Sequence, residues 1–261
     1  MPYQLNLTKS NIAFIKDSYK EQIKSLNDFF YIINNCVKNG VSRNSLSFGG
    51  GTALAMYYLG HRKSFDIDLF IDNPQCLAFF SPKHWIDDNP HIADEYGESP
   101  HQIYLYTKDN IKIDIVVRPN IDKNLLDSSK AIFNSDIYIH SIEDIIANKI
   151  IFRRNDNKPR DIFDIVASIN KYPNLLQSLL SKKAIVPNDI VELKSAIQKL
   201  DIKQYNESID LFQPAKEYKD LALNAPNILI QKIDSIQKSH TITHKPKLYK
   251  NRANDNGEIG L

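Results

Sequence analysis

Cysteine is nearly absent from this sequence: Cys36 and Cys76 stand far apart, with no CxxC or CxxH partner. That excludes a disulfide framework and a cysteine-rich zinc site, and it leaves reduced, buried thiols and a cytoplasmic setting as the expectation. Long apolar runs are absent too. None approaches the roughly 20 residues a membrane helix needs, and the N-terminal MPYQLNLTKSN lacks the charged-then-apolar layout of a signal peptide, so no membrane partner is expected. An excess of one charge is also missing. Lys plus Arg number 33 against 31 Asp plus Glu, a formal charge of +2, so any surface that attracts a polyanion must be local. Glycine is scarce, with eight in 261 residues, yet three of the eight are consecutive at Gly49, Gly50 and Gly51. Backbone freedom concentrated in this way carries an entropic penalty and needs a local reason.

The apolar pattern supplies the frame. Ile12, Ile15, Tyr19, Ile23, Leu26, Phe30, Ile33 and Val37 recur at helical steps, and Asn39-Gly40 reads as the stop of one amphipathic helix. A short strand at 46–48 runs into the glycines, and 52–59 is rich in helix formers. FDIDLFI, 65–71, alternates at period two. Residues 73–100 read as a surface insertion with short helical pieces. Two alternating arms, 101–107 and 111–117, flank Lys108-Asp109-Asn110 as a hairpin. Beyond Arg118-Pro119 the character turns helical, with Ser141-Ile142-Glu143-Asp144 resembling a capping box. No internal repeat is present. The expected organisation is an α/β domain over 1–135, a helical domain over 136–239 and a polar basic tail over 240–261 containing Lys245, Lys247, Lys250 and Arg252.

Three features carry chemistry. The strand–glycine–helix order suits an anion held on backbone amides, although a tight turn without a ligand has the same appearance. Asp66 and Asp68 share one strand face, where two carboxylates repel; a divalent cation relieves such a pair, and a solvated edge face is the alternative. Asp114 adds a third acid in an otherwise apolar strand, and three oxygen ligands suit Mg²⁺ held jointly with substrate phosphates. Other residues invite plainer readings. His61 reads as a helix-end dipole partner, the seven histidines are scattered, and Tyr104 and Tyr106 read as packing.

Taken together, GGGTALAMYYLGHRKSFDIDLFI and EDIIANKIIFRRNDNKPRDIFDIV resemble the AbiEii/AbiGii toxin family of nucleotidyltransferases, relatives of the DNA polymerase β superfamily, over about residues 47–166. The resemblance implies an α+β fold: an N-terminal polymerase β-like domain with a mixed sheet flanked by helices, followed by a mainly helical C-terminal domain. It implies a triphosphate cradle at Gly50, Gly51 and Thr52, with Arg62 and Ser64 as phosphate contacts. Asp66 and Asp68 become metal ligands, and Asp114 the third carboxylate, which helps deprotonate the acceptor hydroxyl. Lys149 is the phosphate-contacting helix lysine and Asp161 the acid of a fourth motif, with Arg160 and Asp164 beside it. Read from their residues alone, Lys149 is a solvent-facing helix lysine, and Arg160 and Asp161 form a helix-start ion pair. The implied activity is NMP transfer from an NTP to an acceptor hydroxyl with Mg²⁺ or Mn²⁺. Some relatives modify tRNA ends, which makes tRNA the leading acceptor, and an antitoxin encoded nearby is the implied partner. Nucleotidylation of a small molecule or protein, and a nucleotide-binding module that transfers nothing, are the rival readings.

Overall fold

The single long helix expected near the N-terminus breaks at Tyr19 into α1, Lys9–Ser18, and α2, Lys20–Cys36. Tyr19 leaves helical geometry at φ −125° and buries its ring, and its hydroxyl donates to the backbone carbonyl of Arg62 at 3.0 Å. A tertiary hydrogen bond thus outweighs helical continuity. The computed structural model describes residues 3–36, 45–90, 92–118, 125–153 and 158–243. The expected stop at Asn39-Gly40, Pro119, Arg154 and the tail cations from Lys245 onward lie outside the described residues.

Seven strands form one mixed sheet: β1, Leu46–Gly49; β2, Ile67–Ile71; β3, Ala93–Ser99; β4, Gln102–Thr107; β5, Lys112–Val117; β6, Leu125–Asp127; and β7, Ile137–Ile139. Their spatial order is β3-β4-β5-β2-β1-β7-β6. The alternation in 65–71 and 101–117 is realised as expected. Ile67, Leu69, Ile71, Ile103, Leu105, Ile113 and Ile115 are buried on the core face, each worth roughly 1.5 to 3 kcal/mol of apolar transfer. Asn110 turns the β4–β5 hairpin at φ 57°, a left-handed position asparagine tolerates.

Two stretches differ from expectation. The 73–100 segment is not only helical pieces: two short 3₁₀ turns lead into β3, which pairs antiparallel with β4 and extends the sheet. Likewise the stretch after Arg118 returns to the sheet in β6 and β7 before becoming helical, with β7 parallel to β1. These strands are three residues long, too short for a period-two signal.

After the glycines comes α3, Gly50–Leu54, whose last turn widens over Ala55–Leu59 and ends where the Gly60 amide donates to the Ala55 carbonyl at 2.8 Å. Then follow α4, Ile142–Arg153; α5, Pro159–Lys171; α6, Leu175–Ser181; α7, Pro187–Gln198; α8, Ile202–Ser208; and α9, Lys219–Thr243. Ser141 caps α4, its hydroxyl accepting from the Asp144 amide at 3.1 Å. Pro159 opens α5, whose next turns bury Ile162, Phe163, Ile165 and Val166. No described helix is long and apolar enough to cross a membrane. The molecule is α+β, a mixed sheet flanked by helices with a helical C-terminal region.

Candidate active site

The glycine turn sits where the sheet needs it. Gly50 adopts φ +69°, and a Cβ there would overlap the Asp68 carboxylate, its Cγ lying 2.5 Å from the Cβ position. A Cβ on Gly51 would come within 2.6 Å of Arg62 Nη2 and 3.4 Å of Ser64 Oγ. The absence of side chains therefore lets the turn close directly onto an acid and a guanidinium. Thr52 is buried within this layer. Its hydroxyl bonds Ser64 Oγ at 2.8 Å and the carbonyl oxygen of Asp66, holding the β2 approach against the turn.

Asp68 stands opposite Gly49 in the antiparallel β1–β2 pair and opposite Asp114 in the parallel β2–β5 pair. Burial, the charge of Asp114 and that of Asp66 push the Asp68 carboxyl up from 3.8 to about 6, with Lys149 and Arg160 opposing. Asp66, just before β2, is 46% exposed, with Arg160 Nη1 3.9 Å away. Asp114 is nearly buried and already engaged. Gln102 Nε2 donates to one of its oxygens at 2.6 Å and Lys112 Nζ to the other at 2.7 Å.

The cations expected at phosphates belong to a second cluster. Asp164, fully buried on α5, receives Arg62 Nε at 2.6 Å and Nη2 at 2.9 Å, and lies 2.7 Å from His61 Nε2 and 2.8 Å from Lys149 Nζ. Lys149 also donates to Asp161 at 2.5 Å. Burial opposes ionisation of Asp164, but Arg62 and Lys149 outweigh it and hold its carboxyl well below the usual range. Burial likewise disfavours the Lys149 charge, yet Asp164 and Asp161 keep it above the ordinary lysine value. His61 is not a dipole partner at a helix end. Its ring is buried against Asp164 and Phe163, and desolvation lowers its pKa despite the carboxylate.

These groups line one cleft of about 360 Å³: Gly50, Gly51, Arg62, Ser64, Asp66, Asp68, Lys149, Arg160 and Asp161 all face it. Thr52 and Asp114 do not line it. A shallower depression of about 300 Å³ continues past Arg62, Ser64, Asp66 and Arg160 to Lys63 and Lys158. The other end of the main cleft was missed by sequence reasoning. Phe70, Val117, Arg118, His140, Asn148 and Phe152 form it. Arg118 lies 5.6 Å from the Phe70 ring and pairs with Asp144, which also faces His140 Nδ1 at 2.9 Å, while His140 Nε2 meets Ser47 Oγ at 2.8 Å. Phe70 was legible: two residues beyond Asp68, it must share that face.

A family model described as "Nucleotidyl transferase AbiEii toxin, Type IV TA system" matches residues 37–235. The chain belongs to the AbiEii family of nucleotidyltransferase toxins. Among solved structures it is similar to JHP933 from Helicobacter pylori, at 18% identity and TM-score 0.41 over 85% of this chain and 98% of that one. A putative nucleotidyltransferase from H. pylori shows 18% identity and TM-score 0.46, covering 86% and 99%. MenT4, a nucleotidyltransferase toxin from Mycobacterium tuberculosis H37Rv, shows 12% identity and TM-score 0.37, again covering 86% and 99%. A search of curated proteins gave no match. The AbiEii chain is thus an enzyme of the nucleotidyltransferase class, in a family of type IV toxin–antitoxin systems.

Proposed function

We propose that this enzyme transfers NMP from an NTP to a hydroxyl of an RNA acceptor, with tRNA as the leading candidate, using Mg²⁺ or Mn²⁺. The carrying observation is the direct apposition of Gly50 and Asp68, which sets backbone amides and a carboxylate at one point of an open cleft. Among the described residues no three His, Cys, Asp or Glu side chains converge as a complete ligand set. Asp68 nevertheless faces Asp114 across the β2–β5 pair, and burial together with that like charge raises its carboxyl. Asp66 and Asp68 fit a divalent ion that draws its remaining oxygens from substrate phosphates and water. Such an ion would neutralise phosphate charge during transfer.

The chain's own groups divide the remaining work. The amides of Gly50 and Gly51, with Ser64, receive the triphosphate, and Thr52 holds the layer that positions them. Arg160, with Lys63 and Lys158 beyond it, offsets the charge of the departing pyrophosphate. Lys149, Arg62 and Asp161 fix the cleft wall. The acceptor oxygen bonds the α-phosphorus as the α–β bridging oxygen leaves with pyrophosphate, and Asp114, opposite Asp68 on β5, takes the hydroxyl proton once the acceptor displaces Gln102 from its carboxylate. Arg153 at the end of α4, with Arg154 and Lys158 after it in sequence, supplies local positive charge for an RNA backbone.

The full chain incubated with labelled NTP and total RNA, protein and metabolite pools tests this reading. Label is expected in RNA, abolished by chelation and by Asp68→Ala. Label confined to protein or metabolites would replace the RNA acceptor, and binding of NTP without any transfer would overturn the reading altogether.

A further inference from the structure

The strand registers place one residue from each of five strands in a single transverse row. Gly49 on β1 faces Asp68 on β2, Asp68 faces Asp114 on β5, Asp114 faces Tyr104 on β4, and Tyr104 faces Gly97 on β3. Directly opposed residues project to the same side of a sheet, so the row runs from the glycine turn, across the acids, to a tyrosine. Tyr106 lies on the same face two pairs along, opposite Lys112.

The two tyrosines pack on each other and not on the hydrophobic core. Their neighbours Ile103, Leu105 and Thr107 take the buried face, whereas Tyr104 and Tyr106 are only partly buried and, among the described residues, neither join the hydrophobic core nor pack against it. Their rings meet edge to face at a centroid separation of 6.1 Å, and Lys112 Nζ sits 5.5 Å from the Tyr104 centroid. Gly97 makes room for this arrangement. A Cβ there would lie 2.5 Å from two Tyr104 ring carbons, so the ring rests across bare backbone.

Phosphoryl transfer requires attacking and leaving oxygens roughly in line. With pyrophosphate departing over the glycine turn at one end of the row, attack comes from the opposite end, over Asp114 and Tyr104. We infer that Tyr104 and Tyr106 form the docking platform for the terminal bases of a single-stranded polynucleotide acceptor. Partly exposed aromatic rings beside a cation suit base faces and phosphates without selecting sequence. Continuity of the row with the acids sets the acceptor's terminal hydroxyl next to Asp114. The inference rests on the RNA-acceptor reading and adds where that RNA sits.

The test uses the full chain and an RNA oligonucleotide with an unpaired 3′ end carrying 2-aminopurine at its terminal position. Wild-type protein should quench the fluorophore by stacking. The double variant Tyr104→Ala, Tyr106→Ala should lose the quench and raise KM for RNA roughly tenfold or more, leaving KM for NTP and the melting temperature unchanged. Tyr104→Phe with Tyr106→Phe should retain both. An unaltered quench and RNA KM in the alanine double variant would overturn the platform while leaving the RNA acceptor standing. An equal rise in both KM values, or a matching loss of melting temperature, would overturn it in favour of a structural role. If wild-type enzyme places no label on RNA, the acceptor reading fails first and the platform falls with it.

Discussion

Asp164 and Asp68 both reach the glycine turn, one through Arg62 beneath Gly51 and the other directly beneath Gly50, yet their surroundings are contrary. Asp164 is buried among Arg62, Lys149 and His61, and its charge is stabilised. Asp68 faces Asp114 and Asp66, and its charge is penalised. The balanced cluster binds α4 and α5 to the turn and so builds the cleft. The unbalanced one is where the proposed divalent ion would be held. Residue type alone does not separate these roles; the sign of the neighbours does.

The largest effect that would sharpen this contrast is kinetic. Asp68→Ala should slow NMP transfer by roughly 10³-fold or more, about 4 kcal/mol of transition-state stabilisation, with the fold retained by circular dichroism. A folded variant transferring at near wild-type rate would remove Asp68 from the active site.

Asp164→Ala should act on stability instead. It strands buried Arg62 and Lys149 charges, and a loss of about 3 to 5 kcal/mol is expected from the urea midpoint. Little change in that midpoint would mean that the cluster does not bind α4 and α5 to the turn.

Gly50→Ala cannot isolate phosphate binding, because the left-handed φ and the Asp68 overlap both oppose it. The single variant should lose at least about 1 to 3 kcal/mol. Combining it with Asp68→Gly should recover part of that loss, and calorimetry of the pair would show an additive penalty if the overlap were unimportant.

Asp68→Asn offers a gentler probe through pH. The folded carboxyl lies near 6 against an ordinary 3.8, so the native state binds its proton more readily. Stability without metal should therefore fall as pH rises from about 4 to about 6 and stay lower above that. At pH 7 the asparagine variant should melt higher, by on the order of 2 kcal/mol, and Mg²⁺ should stabilise wild type but not the variant. The reverse slope would contradict the like-charge assignment.

The smallest changes are expected at Arg160 and at the arginines that follow Phe152 in sequence. Arg160→Ala should raise KM for NTP a few-fold, since its pairing with Asp66 is long and solvated. Reversing Arg153 and Arg154 should flatten the salt dependence of RNA binding while sparing NTP affinity.

Much of this was legible in advance because it is periodic. Alternation placed Asp66 and Asp68 on one face and predicted the β4–β5 hairpin, and the glycine run marked the turn that closes on Asp68. The brief β6 and β7 were not, since three residues carry no period. Nor was the break at Tyr19, where the decisive partner is the Arg62 carbonyl, far along the chain.

The sequence by itself determined which side chains share a strand face and where glycine frees the backbone to turn, because these depend on neighbours a few residues apart. Only the tertiary structure decided that Arg62 and Lys149 serve a buried carboxylate, that Asp114 is held by Lys112 and Gln102, and that Tyr104 and Tyr106 look outward beside it. Charge balance and exposure are set by whichever residues the fold brings opposite one another, and strand order and register, not local spacing, choose them.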